Sequence, residues 1–516
     1  MKKEISLLLL AGASVFAAIP QPVKVTGGQV SGVTGRDASI TAFKGIPFAA
    51  PPVGDLRWRA PQPVLPWSGV KAADKFAASC MQTIVTEKKP WTWEFMAHND
   101  VSEDCLHLNV WTAAASPAEK RPVYVYIYGG AFTEGSAAVP AYDGEGLAKK
   151  GLVVVTLNYR VGIFGFFAHP ELTKESATKT SGGSSGNYGL LDQVAALQWV
   201  HDNIGKFGGD PARVTIAGQS AGAFSVNALL ASPLAKGLFA RAIAESGITL
   251  GSGTGAKLAQ AEQSGAAFAA AKGAKSIAEL RAMSWQKLTE PLPGGGRGSR
   301  GGLIIDGSVL PMTVPEAFAQ GKQNDVPTLT GYNKGEGGAT PNPTITAAAF
   351  QAQAKQRYGD RADEFLKLYP AATDEQARVS QNESSWDQQR VGAYLWARNR
   401  AKTSKTNAYT YFWDHTLPGP DAAQYGAFHT SEVLYALNTL YMSERPFTDL
   451  DKKIADQVSS YWVNFATAGD PNGKGLTAWP VAGEMPETME IGDRPGAIAS
   501  AGSGEKLAFW EKYLTK

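Results

Sequence analysis

The feature that most constrains this chain is a short segment in which an apolar run, residues 214–217 (VTIA), breaks off at Gly218-Gln219-Ser220-Ala221-Gly222 and gives way to an Ala- and Leu-rich helical stretch. A serine between two near glycines, at a strand-to-helix junction, marks a sharp turn that lifts the hydroxyl clear of the backbone. The glycines relieve the crowding this causes. A serine that only caps a helix has no need of glycines on both sides. The segment therefore asks for a buried strand beneath it and a helix packed behind it.

The rest of the chain supplies such a frame. Residues 123–128 (VYVYIY) and 152–157 (LVVVTL) are dense in β-branched and aromatic residues, as parallel strands buried on both faces are. Residues 190–204 repeat apolar positions at helical spacing before the turn Phe207-Gly-Gly-Asp-Pro211. Strand, helix, strand alternation predicts an α/β architecture with right-handed crossovers and a large, mostly parallel central sheet. Sheet-like segments resume at 303–305, 328–331 and 408–412 after two Gly/Ser-rich excursions, 178–186 and 291–302. We therefore expect one large domain over 19–516, with loops and helices inserted over the candidate site. The formal net charge of +2 gives no reason to expect a nucleic-acid partner.

The N-terminus has the form of an export signal over 1–18. Lys2 and Lys3 precede an apolar body that ends in small residues at Ala17 and Ala18. The body is too short to span a bilayer, so no membrane span is expected after cleavage. A secreted or periplasmic location follows, and it makes the only two cysteines interpretable. Cys80 and Cys105, close in sequence and in an oxidising compartment, are most simply a disulfide. Without a neighbouring histidine pair they do not suggest a metal site, and no cofactor is implied.

A serine hydroxyl needs a base, and the base an orienting acid. At a turn of this kind the chain order is Ser, then Asp or Glu, then His. Two histidines, His415 and His429, lie far enough downstream to leave room for the acid. His429 sits in a small-residue loop before a helical run, whereas His415 follows the aromatic strand and reads as a strand-end residue. The acid is best placed at Glu336, in the loop after the strand 328–331. Amides able to hold an oxyanion are expected at Gly129-Gly130-Ala131-Phe132, where the run 123–128 opens, and at Ala221 beside the serine.

Several segments together are specific: Phe43-Lys-Gly-Ile-Pro47, Pro52-Val-Gly-Asp-Leu-Arg57-Trp, Ser102-Glu-Asp-Cys105-Leu-His-Leu-Asn109, Gly186-Asn-Tyr-Gly-Leu-Leu-Asp192-Gln, the Ser220 turn, and Phe465-Ala-Thr-Ala-Gly-Asp-Pro-Asn472. With them the chain resembles the type-B carboxylesterase/lipase family, which also contains the cholinesterases, over nearly all of its length. The resemblance implies the α/β-hydrolase fold and hydrolysis of a small to bulky carboxylic ester through a Ser220–Glu336–His429 triad. It further implies an oxyanion hole from Gly130, Ala131 and Ala221, with Glu432 and Ser225 bracing the triad from behind. Arg57, Glu103 and Asp192 match structural positions. Tyr128 stands where many esterases carry His, and Gly335 where an acidic residue commonly precedes the glutamate. For the substrate, Phe132, Arg297 and Arg300 are candidates. The two arginines lie among glycines and are suited to an anionic acyl group, such as the polycarboxylate of a fumonisin-type ester. An amidase and a non-catalytic, cholinesterase-like binding protein are the alternatives.

Overall fold

The computed structural model describes residues 18–177, 183–248, 255–291 and 302–515. The expected export signal, apart from Ala18, lies outside them, as do Arg297 and Arg300.

An eleven-stranded sheet organises the chain. Its strands are β1 (Val33–Thr34), β2 (Thr41–Pro47), β3 (His107–Thr112), β4 (Arg121–Ile127), β5 (Val153–Leu157), β6 (Gly209–Gln219), β7 (Arg241–Glu245), β8 (Thr328–Asn333), β9 (Ala408–Trp413), β10 (Glu487–Ile491) and β11 (Gly496–Ala499). Their spatial order is β11-β10-β9-β8-β7-β6-β4-β5-β3-β2-β1. From β5 through β4 and β6 to β10 every neighbouring pair is parallel, while the pairs at either margin are antiparallel. All five residues of β5 and the last five of β4 are buried, so the centre of the sheet is covered on both faces. That is why these strands read as unbroken apolar runs and not as alternating ones.

The helices that bear on the site are α1 (Tyr188–Asn203), α2 (Ala221–Ala231), α3 (Asp374–Ala401) and α4 (Asp449–Ala468). α2 starts directly at the turn after β6, and Ser225 on it accepts a 2.9 Å hydrogen bond from Gln193 of α1. On α1, Asp192 holds the Arg160 guanidinium through two bonds of 2.7 and 2.8 Å, both side chains being buried. Arg57 grips Glu103 in the same two-pronged manner and also donates to the carbonyls of Arg281 and Met283, tying the segment after residues 54–56 to the end of the helix Ile277–Ala282. Cys80 and Cys105 are bonded and fully buried, closing a separation of 25 residues. On the chain-entropy model a loop of that size contributes roughly 3 kcal/mol.

Two local expectations change. The segment around residue 304 does not rejoin the main sheet. Ile304–Ile305 pairs only with Ala256–Lys257, because Asp306 turns the chain at once by accepting the amides of Ser308 and Leu310. The strand leading to Ser220 starts five residues earlier than its apolar run, at Gly209, where Asp210 and Arg213 pair with each other.

Candidate active site

The turn at Ser220 is forced by close packing around its glycines. Ser220 has φ 57° and ψ −122°, a conformation costly for a residue with a side chain. A Cβ at Gly218 would meet the carbonyl oxygen of Ile127 at 2.6 Å, and one at Gly222 would overlap the same atom. The end of β4 thus presses against both glycines and leaves the chain no wider turn. The Ser220 amide donates to the Glu245 carbonyl at 2.9 Å and its carbonyl receives Phe224 N–H at 2.9 Å, fixing the turn from both sides.

Past its own end, β4 opens into Gly129-Gly130-Ala131-Phe132, where Gly130, Ala131 and Phe132 all have positive φ (112°, 54° and 61°). Gly129 is required by proximity, since a Cβ there would come within 3.0 Å of the Ser220 Cβ. Tyr128 anchors the loop. Its hydroxyl donates to the Tyr159 carbonyl and the Tyr159 hydroxyl to the Tyr128 carbonyl, each at 2.9 Å, with the rings stacked at 4.4 Å. Phe132 turns away, packing edge-on against Phe166 at 5.0 Å, and does not line the cavity at Ser220.

His429 and Glu336 arrive on loops beyond β9 and β8. The His429 Nδ1 lies 3.2 Å from Glu336 Oε1. The same oxygen accepts the Ser246 hydroxyl at 2.6 Å and the Asn333 amide at 3.1 Å. From α3, Ser385 and Gln389 both donate at 3.0 Å to the Glu336 carbonyl, and Trp386 donates to the Lys334 carbonyl at 2.8 Å. Gly335 pairs with the His429 loop through its amide, which donates to the Ala427 carbonyl at 2.8 Å. A Cβ there would meet that oxygen at 2.7 Å and the Phe428 Cα at 3.0 Å. A side chain at Gly335 would therefore crowd the His429 loop as it stands here. On the other side Trp91 donates to the His429 carbonyl and the Thr430 hydroxyl, each at 3.1 Å.

The imidazole is mostly enclosed. Burial alone would lower its pKa. The hydrogen bond and charge of Glu336 outweigh it and raise it above the usual 6.5. Gln219 places its amide nitrogen 3.1 Å from Nε2 and 3.4 Å from Nδ1. Those near-equal distances put the amide over the ring face. Ser220, Gln219, His429, Gly129, Gly130 and Ala131 line a single cavity of about 200 Å³, whose other walls include Ile84, Val85, Trp91, Phe95, Met96 and Tyr142. Lys88 and Glu134 face each other there at 4.0 Å. A larger cavity of about 470 Å³ lies behind Phe428, but it contains neither Ser220 nor His429. We take the smaller one as the site, because the reactive groups converge there.

His415 is elsewhere, buried between Asp451 at 2.9 Å and Asp493 at 2.6 Å. Sequence reading missed Ser246, Asn333, Gln219 and Trp91. Only Gln219, next to the serine, carried a local signal. Ser225 on α2 points its hydroxyl at Gln193 of α1, and Glu432 is buried with Asn333 donating to it. Among the described residues no hydrogen bond joins the Ser220 hydroxyl to His429, an arrangement common before substrate arrives.

A model of the carboxylesterase family matches residues 20–510. The fumonisin B1 esterase of Sphingopyxis macrogoltabida is 38% identical over 96% of this chain and 90% of its own length. The human cocaine esterase is 32% identical over 98% and 94%, and the rat liver carboxylesterase 1F is 32% identical over 99% and 97%. An α/β sheet of this order, with reactive groups gathered beyond the carboxyl ends of its parallel strands and likeness along nearly the full length, identifies the chain as a member of the carboxylesterase family, a carboxylic ester hydrolase of the α/β-hydrolase fold.

Proposed function

We propose that the enzyme cleaves its ester through an acyl-enzyme on Ser220. The reading is carried by the convergence of Ser220, His429 and the Gly130-Ala131 loop in one cavity, with Glu336 on the far nitrogen of the histidine. Ser220 Oγ attacks the acyl carbon while His429 Nε2 takes its proton. The Gly130, Ala131 and Ala221 amides hold the oxyanion, and His429 then returns the proton to the departing alcohol. Water repeats the sequence on the acyl-enzyme. Glu336 keeps the imidazole in the right tautomer and stabilises the imidazolium. Ser225 and Glu432 support this set from behind.

The apolar walls of the cavity suit an uncharged group of an ester, small or bulky. A second reading, action on fumonisin-type polycarboxylate esters, rests on the 38% likeness and on Arg297 and Arg300 in the sequence. Among the described residues no helix is long and apolar enough to cross a membrane. That fact, the buried disulfide and the basic, apolar N-terminus support a secreted or periplasmic location.

A phosphonate ester should inactivate the enzyme in proportion to one adduct per chain, found by mass mapping on the peptide containing Ser220. Inactivation with the adduct elsewhere contradicts the assignment. The raised His429 pKa sets a second expectation. Its base form exists only above that pKa, so kcat/KM should fall as pH drops through a value above 6.5 and level off on the alkaline side. A profile flat from about pH 5 to about pH 8, with chemistry limiting, contradicts the role of His429.

A further inference from the structure

Beneath the site, on the face of the sheet turned to α4, lies a sealed group of acids and phenols that the mechanism above does not use. Strand register puts it there. Glu245 at the end of β7 aligns with Gly331 of β8, which aligns with Tyr411 of β9. Partners in a parallel ladder point to the same face, and Gly331 has no side chain, so the Tyr411 ring lies over it towards Glu245. On the other side Tyr124 and Tyr126 of β4 share that face across the small residues Thr215 and Ala217. From α4, Trp462 closes the chamber, donating to Glu245 Oε1 at 2.6 Å and packing on Tyr411 at 5.6 Å. Glu432, three residues after His429, enters from the loop and receives a short hydrogen bond from Asn333.

Glu245 and Glu432 are both fully buried. One oxygen of each, and the hydroxyls of Tyr124, Tyr126 and Tyr411, have no partner among the described residues. Five buried polar atoms left unpaired in one region beneath the site have a common explanation if protons and internal water are shared among them. Two carboxylates cannot both ionise cheaply there. Burial holds both well above the usual carboxylate range, and the Glu245 charge pushes Glu432 further. Tyr142 also faces both acids, and Glu336 and His429 face Glu432. Arg241 shares the face but lies at the far end of β7, beside Gly469.

We propose that Glu245 and Glu432 form a buried acid pair holding one proton between them, with Glu245 as the ionised member, so that Glu245 is a positioning residue that keeps the acid nearest His429 neutral. The proposal rests on the triad reading. Its geometric basis is the strand register that brings Glu245, Tyr411, Tyr124 and Tyr126 to one face, with five buried oxygens there and on Glu432 left without a partner among the described residues. Within the pair each acid accepts one N–H, Glu245 from Trp462 and Glu432 from Asn333, but the charge of Glu336 weighs against a second charge on Glu432. If Glu245 is removed, the negative charge moves to Glu432, closer to the imidazole, and His429 holds its proton to higher pH.

The test is the acid limb of kcat/KM in wild type, Glu245→Gln, Glu432→Gln and the double variant. Glu245→Gln should move the limb to higher pH by half a unit or more. Glu432→Gln should leave the limb close to its wild-type position, because that acid already carries no charge, and the double variant should follow Glu432→Gln. An unmoved limb in Glu245→Gln, or shifts of the same sign in both single variants, overturns the proposal. So does a double variant that follows Glu245→Gln. Loss of stability without the upward shift in Glu245→Gln is the mark of a structural role and also overturns it. Should a variant not fold, wild-type protein at neutral pH still decides the matter. Infrared spectroscopy should show a protonated carboxyl band from a buried acid, and its absence ends the idea. Failure here leaves the phosphonate adduct on Ser220 untouched, so the two readings are separable.

Discussion

Ser220→Ala should leave a folded protein with turnover lower by about 10⁶-fold. The fold is expected to survive because what holds the turn is backbone and glycine packing. Ser220 N–H donates to Glu245, its carbonyl accepts from Phe224, and Gly218 and Gly222 lie against Ile127. An alanine keeps all of these and bears the same positive φ. The hydroxyl itself has no hydrogen bond to His429, so its removal strands no buried partner. The thermal midpoint should therefore stay within a few degrees while hydrolysis of any good ester disappears. The phosphonate should no longer label the peptide. If the variant keeps a tenth of wild-type turnover, Ser220 is not the nucleophile.

What the sequence made legible follows from how local each feature is. The serine turn could be read because strand, glycines and helix are contiguous. The parallel strands could be read because burial on both faces leaves an unbroken apolar run, as in residues 123–128. Glu336 and His429 needed the chain-order rule and the family resemblance, since a loop glutamate and a loop histidine look like any others. Gly335 shows the limit of residue matching. It departs from the resembled pattern, yet here it sits tight against Ala427 and Phe428, where a Cβ would meet the Ala427 carbonyl oxygen at 2.7 Å. Ser246, Asn333, Trp91 and Glu245 were invisible, because register between separate strands and loops brings them to the site. Glu245 in particular ends an apolar strand and reads as its polar margin. Only the alignment of β7, β8 and β9 places it beneath the histidine loop. Phe132, singled out beside the glycines, packs its ring edge-on against Phe166.

Glu336→Gln should lower kcat by about 10⁴-fold, with little change in structure. The carboxylate oxygen nearest His429 accepts from three groups: the Ser246 hydroxyl, the Asn333 amide and the imidazole. A glutamine carbonyl can occupy that position and keep all three donors. Its amide nitrogen there would face three donors at once, so the oxygen is held in place. The histidine then keeps its orientation and tautomer, and what is lost is charge. Both effects by which Glu336 raises the imidazole pKa weaken, leaving burial to lower it. The direction of the pH effect follows. The acid limb of kcat/KM should move to lower pH, because the base is unprotonated over a wider range, even as the maximum rate collapses for want of a counter-charge to the imidazolium. A variant with the amide turned the other way would instead show the rate loss without that shift, since Nδ1 would have to accept and Nε2 would carry the proton. Turnover within tenfold of wild type would remove Glu336 from the mechanism. A full rate loss with the limb displaced downward assigns it the electrostatic role that three donors around one oxygen are built to hold.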